Sequence, residues 1–396
     1  MEMTSKPAHA PGENRPLTSI RGVAASWVFV AHVSAQFYTL LPGRVADGMM
    51  CGWEGVDIFF VLSGFIIATV YHDLRPGGWG RFWTRRIFRV FPLNVFVVGG
   101  LALAELAGVR TGAVVDWPDL PYHLLMLQSF VPGHKPGWIF VNWSVGIELI
   151  CYIAFPLSAI ALRLLGTRAL AALVVLLAAG TWWAQTQALA QFFGLLAVER
   201  CGSEFLLGAG LGALALRLPR LPAAVAGLLE LAGCGLIVFA AGSGIDAKWC
   251  VAFGSPRMAL LPLGAGVLIF ALASDSGPAA RLLRLAPLLW LGRISFSIYL
   301  IHVRILVRTS PLLWLLVGGP PGMAAVLVWG VAMYAVTTAV AFVTYFLVER
   351  PGRRLGNALL TLAARRRGTP GLAWSPSAPG HPHGTPEILV QPARDR

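Results

Sequence analysis

Charged residues are scarce in this chain of 396 residues. Only 12% of its residues are Asp, Glu, Lys or Arg, whereas 57% are hydrophobic. A water-soluble protein of ordinary composition carries about 25% charged residues, because its surface must be hydrated. The length alone would allow about two or three soluble domains, but this composition excludes them. A lipid bilayer is the solvent that such a composition fits.

Several other sequence signatures are also absent. The five cysteines show no C-x-x-C spacing, and a membrane bundle needs no disulfide framework. We expect packing roles for them, with one disulfide on the outer face left open among Cys51, Cys201 and Cys250. Residues 1–16 lack a signal-peptide pattern, so the first apolar segment should remain as a helix. Neither a solenoid repeat nor an appended soluble catalytic domain is evident, which places any chemistry within the membrane bundle or its loops.

Apolar segments of roughly 18 to 25 residues recur along most of the chain, and each can cross about 30 Å of hydrocarbon as a helix. We therefore predict an all-α integral membrane protein, a bundle of about ten transmembrane helices. The predicted spans lie near residues 19–41, 55–71, 88–108, 142–164, 168–190, 201–217, 222–242, 252–274, 287–310 and 322–348. The predicted domains are a flexible tail at 1–16, a transmembrane domain at 17–355, and a basic, Pro/Gly-rich, largely disordered tail at 356–396.

Basic residues are divided unevenly between the two sides of this predicted bundle. Lys and Arg near span ends are retained on the cytoplasmic side of a membrane. With ten spans and an internal N-terminus, one side collects most of them, including the cluster from Arg75 to Arg89. Both termini are therefore predicted to be cytoplasmic, in a bacterial-type inner membrane. The net charge of +13 then reflects loops that face anionic lipid and does not indicate nucleic-acid binding, for which the sequence holds no motif.

Ionisable residues inside membrane spans are costly and tend to mark function. His32 follows Arg21 by eleven residues, and eleven helical steps of about 100° return to within about 20° of the starting direction. The two residues share a helix face about 16 Å apart, with Arg21 at the cytoplasmic surface and His32 near mid-membrane. Neutral imidazole can accept a proton from a hydroxyl, so His32 is a candidate general base for O-acylation. A core histidine bonded to a neighbouring helix fits the spacing equally well.

A basic stripe precedes the third predicted span. Arg81, Arg85 and Arg89 are spaced i, i+4 and i+8, so on a helix they face the same way. Arginine binds phosphate with bidentate geometry, but arginines at a span end also act as positive-inside anchors, and the spacing fits both roles. Asp57 lies at the outer end of the second span, where the helix dipole favours a carboxylate, and capping is the simpler expectation for it.

Two further polar stripes occur on later spans. Ser144 and Glu148 project from one face of the fourth span. Glu148 could orient an imidazolium or bind sugar hydroxyls, and the alternative is a buried, protonated carboxyl that joins helices. Ser295, Tyr299 and His302 recur at i, i+4 and i+7 on the ninth span, where helix packing is the alternative to a substrate role.

Five motifs in order resemble one known family. They are Arg21 with His32 after ten intervening residues, GVDIFFVLSGF at 55–65, RRIFRVFP at 85–92, NWSVGIE at 142–148 and ISFSIYLIH at 294–302. On these motifs the chain resembles the acyltransferase 3 family of membrane-bound O-acyltransferases, which modify sugars and related acceptors, over roughly residues 16–355. Each motif alone is weak, but five in order on matching spans are specific.

The resemblance implies transfer of an acyl group, expected to be acetyl, from acyl-coenzyme A to a hydroxyl of a carbohydrate or glycosylated acceptor. The predicted catalytic residues are His32, Arg21 and Glu148. The predicted donor-binding residues are Arg85, Arg86 and Arg89. The predicted acceptor or supporting residues are Asp57, Trp143, Ser144, Ser295, Tyr299 and His302. We expect no metal and no permanently bound cofactor, and the expected partners are the bilayer, acyl-coenzyme A and a glycan, lipid-linked sugar or glycosylated small molecule.

A transporter or flippase is the alternative interpretation of the same residues. Its buried histidines and acids would form a proton relay, and it predicts paired inverted repeats and broken helices. The sequence shows no convincing internal repeat. A non-catalytic scaffold is a third class, but it gives no reason for His32 to lie above Arg21.

Overall fold

The computed structural model describes residues 14–109, 111, 115–131, 137–187, 194–242 and 259–366. All regular secondary structure within these residues is helical, which confirms the all-α fold class. Eight helical segments of this described part have the length and composition of membrane spans. They are Arg15–Leu40, Gly43–Val70, Pro76–Leu106, Asn142–Leu164, Thr167–Thr186, Ala223–Gly242, Ser295–Val317 and Met323–Arg365.

The α-helices are numbered in chain order. They are α1 (Arg15–Phe37), α2 (Gly43–Met50), α3 (Gly55–Val70), α4 (Trp79–Leu106), α5 (Leu120–Leu125), α6 (Asn142–Leu164), α7 (Thr167–Gln187), α8 (Gly194–Ala215), α9 (Ala223–Gly242), α10 (Leu260–Leu272), α11 (Pro278–Leu283), α12 (Ala286–Arg293), α13 (Ser295–Val317), α14 (Met323–Thr344) and α15 (Arg350–Arg366). A π-helical turn, Tyr345–Glu349, joins α14 to α15.

Two of the ten predicted spans are not among these eight segments. The span predicted at 201–217 corresponds to α8, which carries Glu199, Arg200 and Glu204. The span predicted at 252–274 corresponds to α10, whose 13 described residues are apolar but too short to cross a bilayer by themselves. The count of ten therefore stays a prediction.

The ninth predicted span, 287–310, is divided between two helices. α12 ends at Arg293 and α13 begins at Ser295, while Ile294 between them has φ −96° and ψ 5°. Tight packing fixes α12 in this position, because a Cβ atom added at Gly292 would lie 2.0 Å from the carbonyl oxygen of Thr18 in α1. Ile294 at the break is neither glycine nor proline, so the usual sequence signal for a helix break is missing there.

Residues 356–366, predicted from the sequence to belong to the C-terminal tail, continue α15 as helix. This helix packs closely on α4. A Cβ atom added at Gly352 would lie 2.5 Å from Cγ of Pro92, and one at Gly356 would lie 2.6 Å from Cβ of Phe88. The many Leu, Ala and Arg residues of α15 favour helix, and the two glycines allow the contact. The rest of the tail lies outside the described residues.

α1 is central to the bundle and contacts α3, α12 and α13. α3 in turn packs against α8 with backbone touching backbone. A Cβ atom added at Gly64 would lie 1.9 Å from the carbonyl oxygen of Phe205, and one at Gly208 would lie 1.9 Å from that of Val61. Gly64 in the second motif thus allows α3 and α8 to approach closely.

We expect Gly208→Ala to lower the melting temperature of the detergent-solubilised protein. The new methyl group would force α3 and α8 apart, and overpacking of this kind costs about 1–3 kcal/mol. Gly202→Ala is the matched control on α8, because a Cβ atom there meets nothing within 4 Å. Equal melting temperatures for the two variants would contradict the packing described here.

Candidate functional site

His32 of α1 and His302 of α13 meet in the interior of the bundle. Nε2 of His302 lies 3.1 Å from Nδ1 of His32, and the two ring centroids are 4.7 Å apart. The side chains are 5% and 0% exposed, so the pair is removed from water and lipid alike. Each histidine was predicted on the polar stripe of its own helix, and the packing of α1 on α13 brings the two stripes together.

Aromatic rings pack beside the His32 imidazole. The ring centroid of Trp53 lies 4.5 Å from that of His32, and the centroid of Phe140 lies 6.4 Å away. Nε2 of His32 is buried and has no hydrogen-bond partner within the described residues. A buried nitrogen of this kind is rare in folded proteins, so it marks a position at which a ligand group could bind.

A cavity of about 50 Å³ lies between α1, α3, α6 and α13. It is lined by Arg21, Val56, Phe59, Phe60, Ser144, Val145, Glu148, Phe296 and Tyr299. Four predicted site residues, Arg21, Ser144, Glu148 and Tyr299, therefore share one space. Tyr299 stands one helical turn before His302, so the cavity approaches the histidine pair although neither histidine lines it. Its size suits a few water molecules or a small acyl group rather than a whole coenzyme.

Hydrogen bonds fix the polar residues of the cavity wall. Oε1 of Glu148 accepts a bond from Ser63 Oγ at 2.7 Å and another from the hydroxyl of Tyr152, so this carboxyl joins α3 to α6. The Tyr299 hydroxyl lies 2.7 Å from Ser144 Oγ, which joins α13 to α6. The structure therefore places Glu148 with hydroxyl groups and gives it no contact with an imidazole among the described hydrogen bonds.

The predicted donor-binding arginines, Arg85, Arg86 and Arg89, all lie on α4. Arg86 is held by aromatic rings: its guanidinium carbon lies 5.4 Å from the centroid of Tyr71 and 5.7 Å from that of Tyr152, and it donates to the Tyr71 hydroxyl at 3.3 Å. Arg89 instead lies close enough to Arg21 for their charges to interact. Arg86 is thus packed among aromatic rings, whereas Arg89 lies near Arg21, which lines the cavity.

Glu349, in the π-helical turn, was not predicted as a site residue. Its side chain is 2% exposed and accepts a hydrogen bond from Ser297 Oγ at 3.1 Å. Nη1 of Arg353 lies 3.7 Å from Oε1 of Glu349. The Glu349 carboxyl also interacts electrostatically with Arg21 and Arg89. One buried carboxyl therefore stands among three arginines. An acid at the end of a span is ordinary in a sequence, so only the π-helical turn, which often accompanies function, distinguishes it.

Asp57 forms a buried ion pair, whereas the sequence predicted a helix-capping role. Its Oδ1 lies 2.5 Å from Nη1 of Arg200, and the two side chains are 1% and 3% exposed. Glu204 lies 3.9 Å from the same guanidinium and accepts a hydrogen bond from Gln185 at 2.6 Å. The Arg200 guanidinium also lies 5.9 Å from the ring centroid of Trp143. A buried carboxylate such as that of Asp57 requires an oppositely charged partner, and a helix dipole alone does not replace it.

The remaining predictions have mixed outcomes. Ser295 is buried at the start of α13, its hydroxyl has no hydrogen-bond partner within the described part of the chain, and it is not among the residues that line the cavity. Cys51 is disulfide-bonded and Cys201 is a free thiol, while Cys250 lies outside the described residues. The described residues contain no group of three or more His, Cys, Asp or Glu side chains that could hold a metal ion.

Several known proteins of similar sequence are named acyltransferases. A family model described as an acyltransferase domain matches residues 16–346. The acyltransferase MdmB of Streptomyces mycarofaciens is 30% identical over 149 residues, which are 36% of this chain and 38% of MdmB. The exopolysaccharide production protein ExoZ of Rhizobium meliloti is 28% identical over 330 residues, 81% of this chain and 94% of ExoZ. The O-acetyltransferase OatA of Staphylococcus aureus is 24% identical over 178 residues, 40% of this chain and 26% of OatA. No solved structure matches.

We expect Arg200→Met to destabilise the detergent-solubilised protein by about 3–5 kcal/mol, because it leaves the Asp57 carboxylate buried without its partner. Adding Asp57→Asn to that variant should recover part of the loss, since the double variant buries one charge fewer. Arg281→Met, at an exposed arginine, is the control. Thermal unfolding gives the comparison, and a wild-type melting temperature for Arg200→Met would show that the ion pair does not stabilise the fold.

Proposed function

We propose that this chain, which belongs to the acyltransferase 3 family of membrane O-acyltransferases, moves an acyl group from acyl-coenzyme A to a hydroxyl of a carbohydrate or glycosylated acceptor. The acyl group is acetyl in this proposal. Two names among the relatives support its parts: OatA is named an O-acetyltransferase, and ExoZ an exopolysaccharide production protein. The membrane assignment rests on the eight apolar helices.

The cavity beside the histidine pair is the main structural support for this proposal. Its polar lining residues are Arg21, Ser144, Glu148 and Tyr299, and Tyr299 is one turn from His302. Phe and Val side chains form the rest of the lining, which suits the acyl end of a thioester. A donor bound at Arg21 would thus direct its acyl group toward His32.

His32 acts as the general base in the mechanism we propose. It takes the proton of the acceptor hydroxyl while the oxygen attacks the thioester carbonyl carbon. The new C–O bond replaces the C–S bond, and the proton held by His32 passes to the departing sulfur. Arg21 serves as a fixed cation for the donor phosphates or for charge that develops in the transition state. A route through an acyl-enzyme intermediate uses the same base.

In this proposal the donor phosphates bind beside Arg21, where basic residues collect. Arg21, Arg89 and Arg353 interact there with Glu349, so positive charge exceeds the charge of this carboxyl. Like charges in one place repel each other, and a bound polyphosphate would relieve that repulsion. In this arrangement Arg89 contacts the donor, and Arg86 holds α4 against its aromatic neighbours.

The proposed topology follows the distribution of basic residues. Ten spans with both termini cytoplasmic, in a bacterial-type inner membrane, place Arg21, α15 and the arginines of α4 on the side where acyl-coenzyme A is made. The predicted donor-binding arginines and His32 then lie along one path from the cytoplasm to mid-membrane.

A proton-relay transporter is the second candidate, because the break between α12 and α13 is the kind of broken helix that transporters use. The two functions differ in their need for a donor. Acceptor movement across liposomes without acyl-coenzyme A would favour the transporter.

We expect His32→Ala to lower acyl transfer by about 10²–10⁴-fold, the usual contribution of a general base. Transfer of label from radiolabelled acetyl-coenzyme A to glycan by the purified protein measures this. His72→Ala is the matched control, because His72 is exposed at the end of α3. Wild-type transfer by His32→Ala would overturn the assignment of the base.

We expect Arg89→Gln to raise the KM for acetyl-coenzyme A by about 10- to 100-fold, the value of a lost hydrogen bond to a charged group. Arg81→Gln, an exposed position on the same stripe, is the control and should change KM less. S-Acetyl-pantetheine carries no phosphate, so its KM should be the same for wild type and Arg89→Gln. A rise in KM for both donors would show that Arg89 acts on the fold and not on the phosphates.

A further inference from the structure

Backbone carbonyl groups determine which nitrogen of His302 carries its proton. Nδ1 of His302 lies 2.7 Å from the carbonyl oxygen of Tyr299 and 3.1 Å from that of Ile298. A carbonyl oxygen only accepts hydrogen bonds, so Nδ1 must be the N–H donor. In a neutral imidazole the other nitrogen then holds a lone pair. Nε2 of His302 is therefore an acceptor.

The same reasoning extends to His32. Its Nδ1 lies 2.9 Å from the carbonyl oxygen of Val28 and 3.1 Å from Nε2 of His302. Both neighbours are acceptors, so Nδ1 of His32 must carry the proton and share it between them as a bifurcated hydrogen bond. Nε2 of His32 is left with the free lone pair, and it is the atom that has no partner among the described residues.

We propose that His302 is a positioning residue: it fixes His32 in the Nδ1–H tautomer, so that Nε2 of His32 is the nitrogen that takes the proton of the acceptor hydroxyl. This inference rests on the proposed function, in which His32 is the base. Val28 lies on the same helix as His32, so its carbonyl cannot orient the ring relative to α13. His302 supplies the acceptor from across the helix boundary, and Trp53 packs against the ring.

The proton balance is complete in this arrangement. The O–H bond of the acceptor breaks, its proton forms a bond to Nε2 of His32, and the ring becomes an imidazolium with two N–H donors. Nδ1–H keeps its bonds to Val28 and His302 throughout, so His302 stabilises the cation without receiving a proton. When the thioester sulfur leaves, the proton on Nε2 passes to it, and the original tautomer is restored.

¹⁵N NMR of the full-length protein, labelled at histidine, tests the tautomer without reference to activity. The spectrum of His32→Ala identifies the His32 signals by their loss. We expect Nδ1 of His32 at the shift of a protonated nitrogen and Nε2 at the shift of an unprotonated one. A protonated Nε2 in the wild type would overturn the inference, whatever the activity.

Two substitutions at His302 test its positioning role. Gln offers an amide oxygen near the place of Nε2, so His302→Gln should keep the His32 tautomer and most of kcat. His302→Leu removes one of the two acceptors and leaves only the Val28 carbonyl on the same helix, so the His32 ring should lose its fixed orientation relative to α13, its ¹⁵N signals should shift or broaden, and kcat should fall at least tenfold with little change in the donor KM. A folded His302→Leu variant with wild-type ¹⁵N shifts and wild-type kcat would overturn the positioning role. An equal loss of kcat in the His302→Gln and His302→Leu variants would also overturn it. If His32→Ala stays active while the wild-type shifts agree, the proposed function fails and the tautomer stands.

Discussion

Hydrocarbon offers no hydrogen bonds, so the charged and hydrogen-bonded side chains inside this bundle rely on partners within the protein, and several of these partners lie on another helix. The Asp57–Arg200 ion pair joins α3 to α8, and the bond between Ser63 and Glu148 joins α3 to α6. These links run across the same interior as the His32–His302 pair. Because an unpaired group there is costly, the polar interior specifies one arrangement of helices more strongly than the apolar surfaces can.

Close backbone contacts between helices further define that arrangement. A Cβ atom added at Gly22 of α1 would lie 2.6 Å from the backbone nitrogen of Gly292 in α12, and Gly64 and Gly208 bring α3 and α8 equally close. Side chains that can change rotamer would leave such positions less defined. The Gly22 contact fixes α1 against α12 at the residue next to Arg21. A hydrogen bond of 3.1 Å between two histidines needs positioning of this quality.

Sequence periodicity predicted which residues share a face of a single helix. The Arg21–His32 face and the Tyr299–His302 stripe are both present, and four predicted residues line a single cavity. Periodicity could not predict contacts between helices, because it is a local property of the sequence and His32 and His302 are 270 residues apart. Arg200 was missed for this reason, and the capping role expected of Asp57 gave way to the ion pair with Arg200.

The cluster of Arg21, Arg89 and Glu349 joins the first helix of the chain to the turn that follows α14. Most of the sequence lies between Arg21 and Glu349, so this cluster cannot assemble until synthesis has passed Glu349. Until then, a growing chain holds the basic residues of α1 and α4 without their carboxyl partner. The electrostatic surroundings of Arg21 are thus among the later features of the fold to be completed.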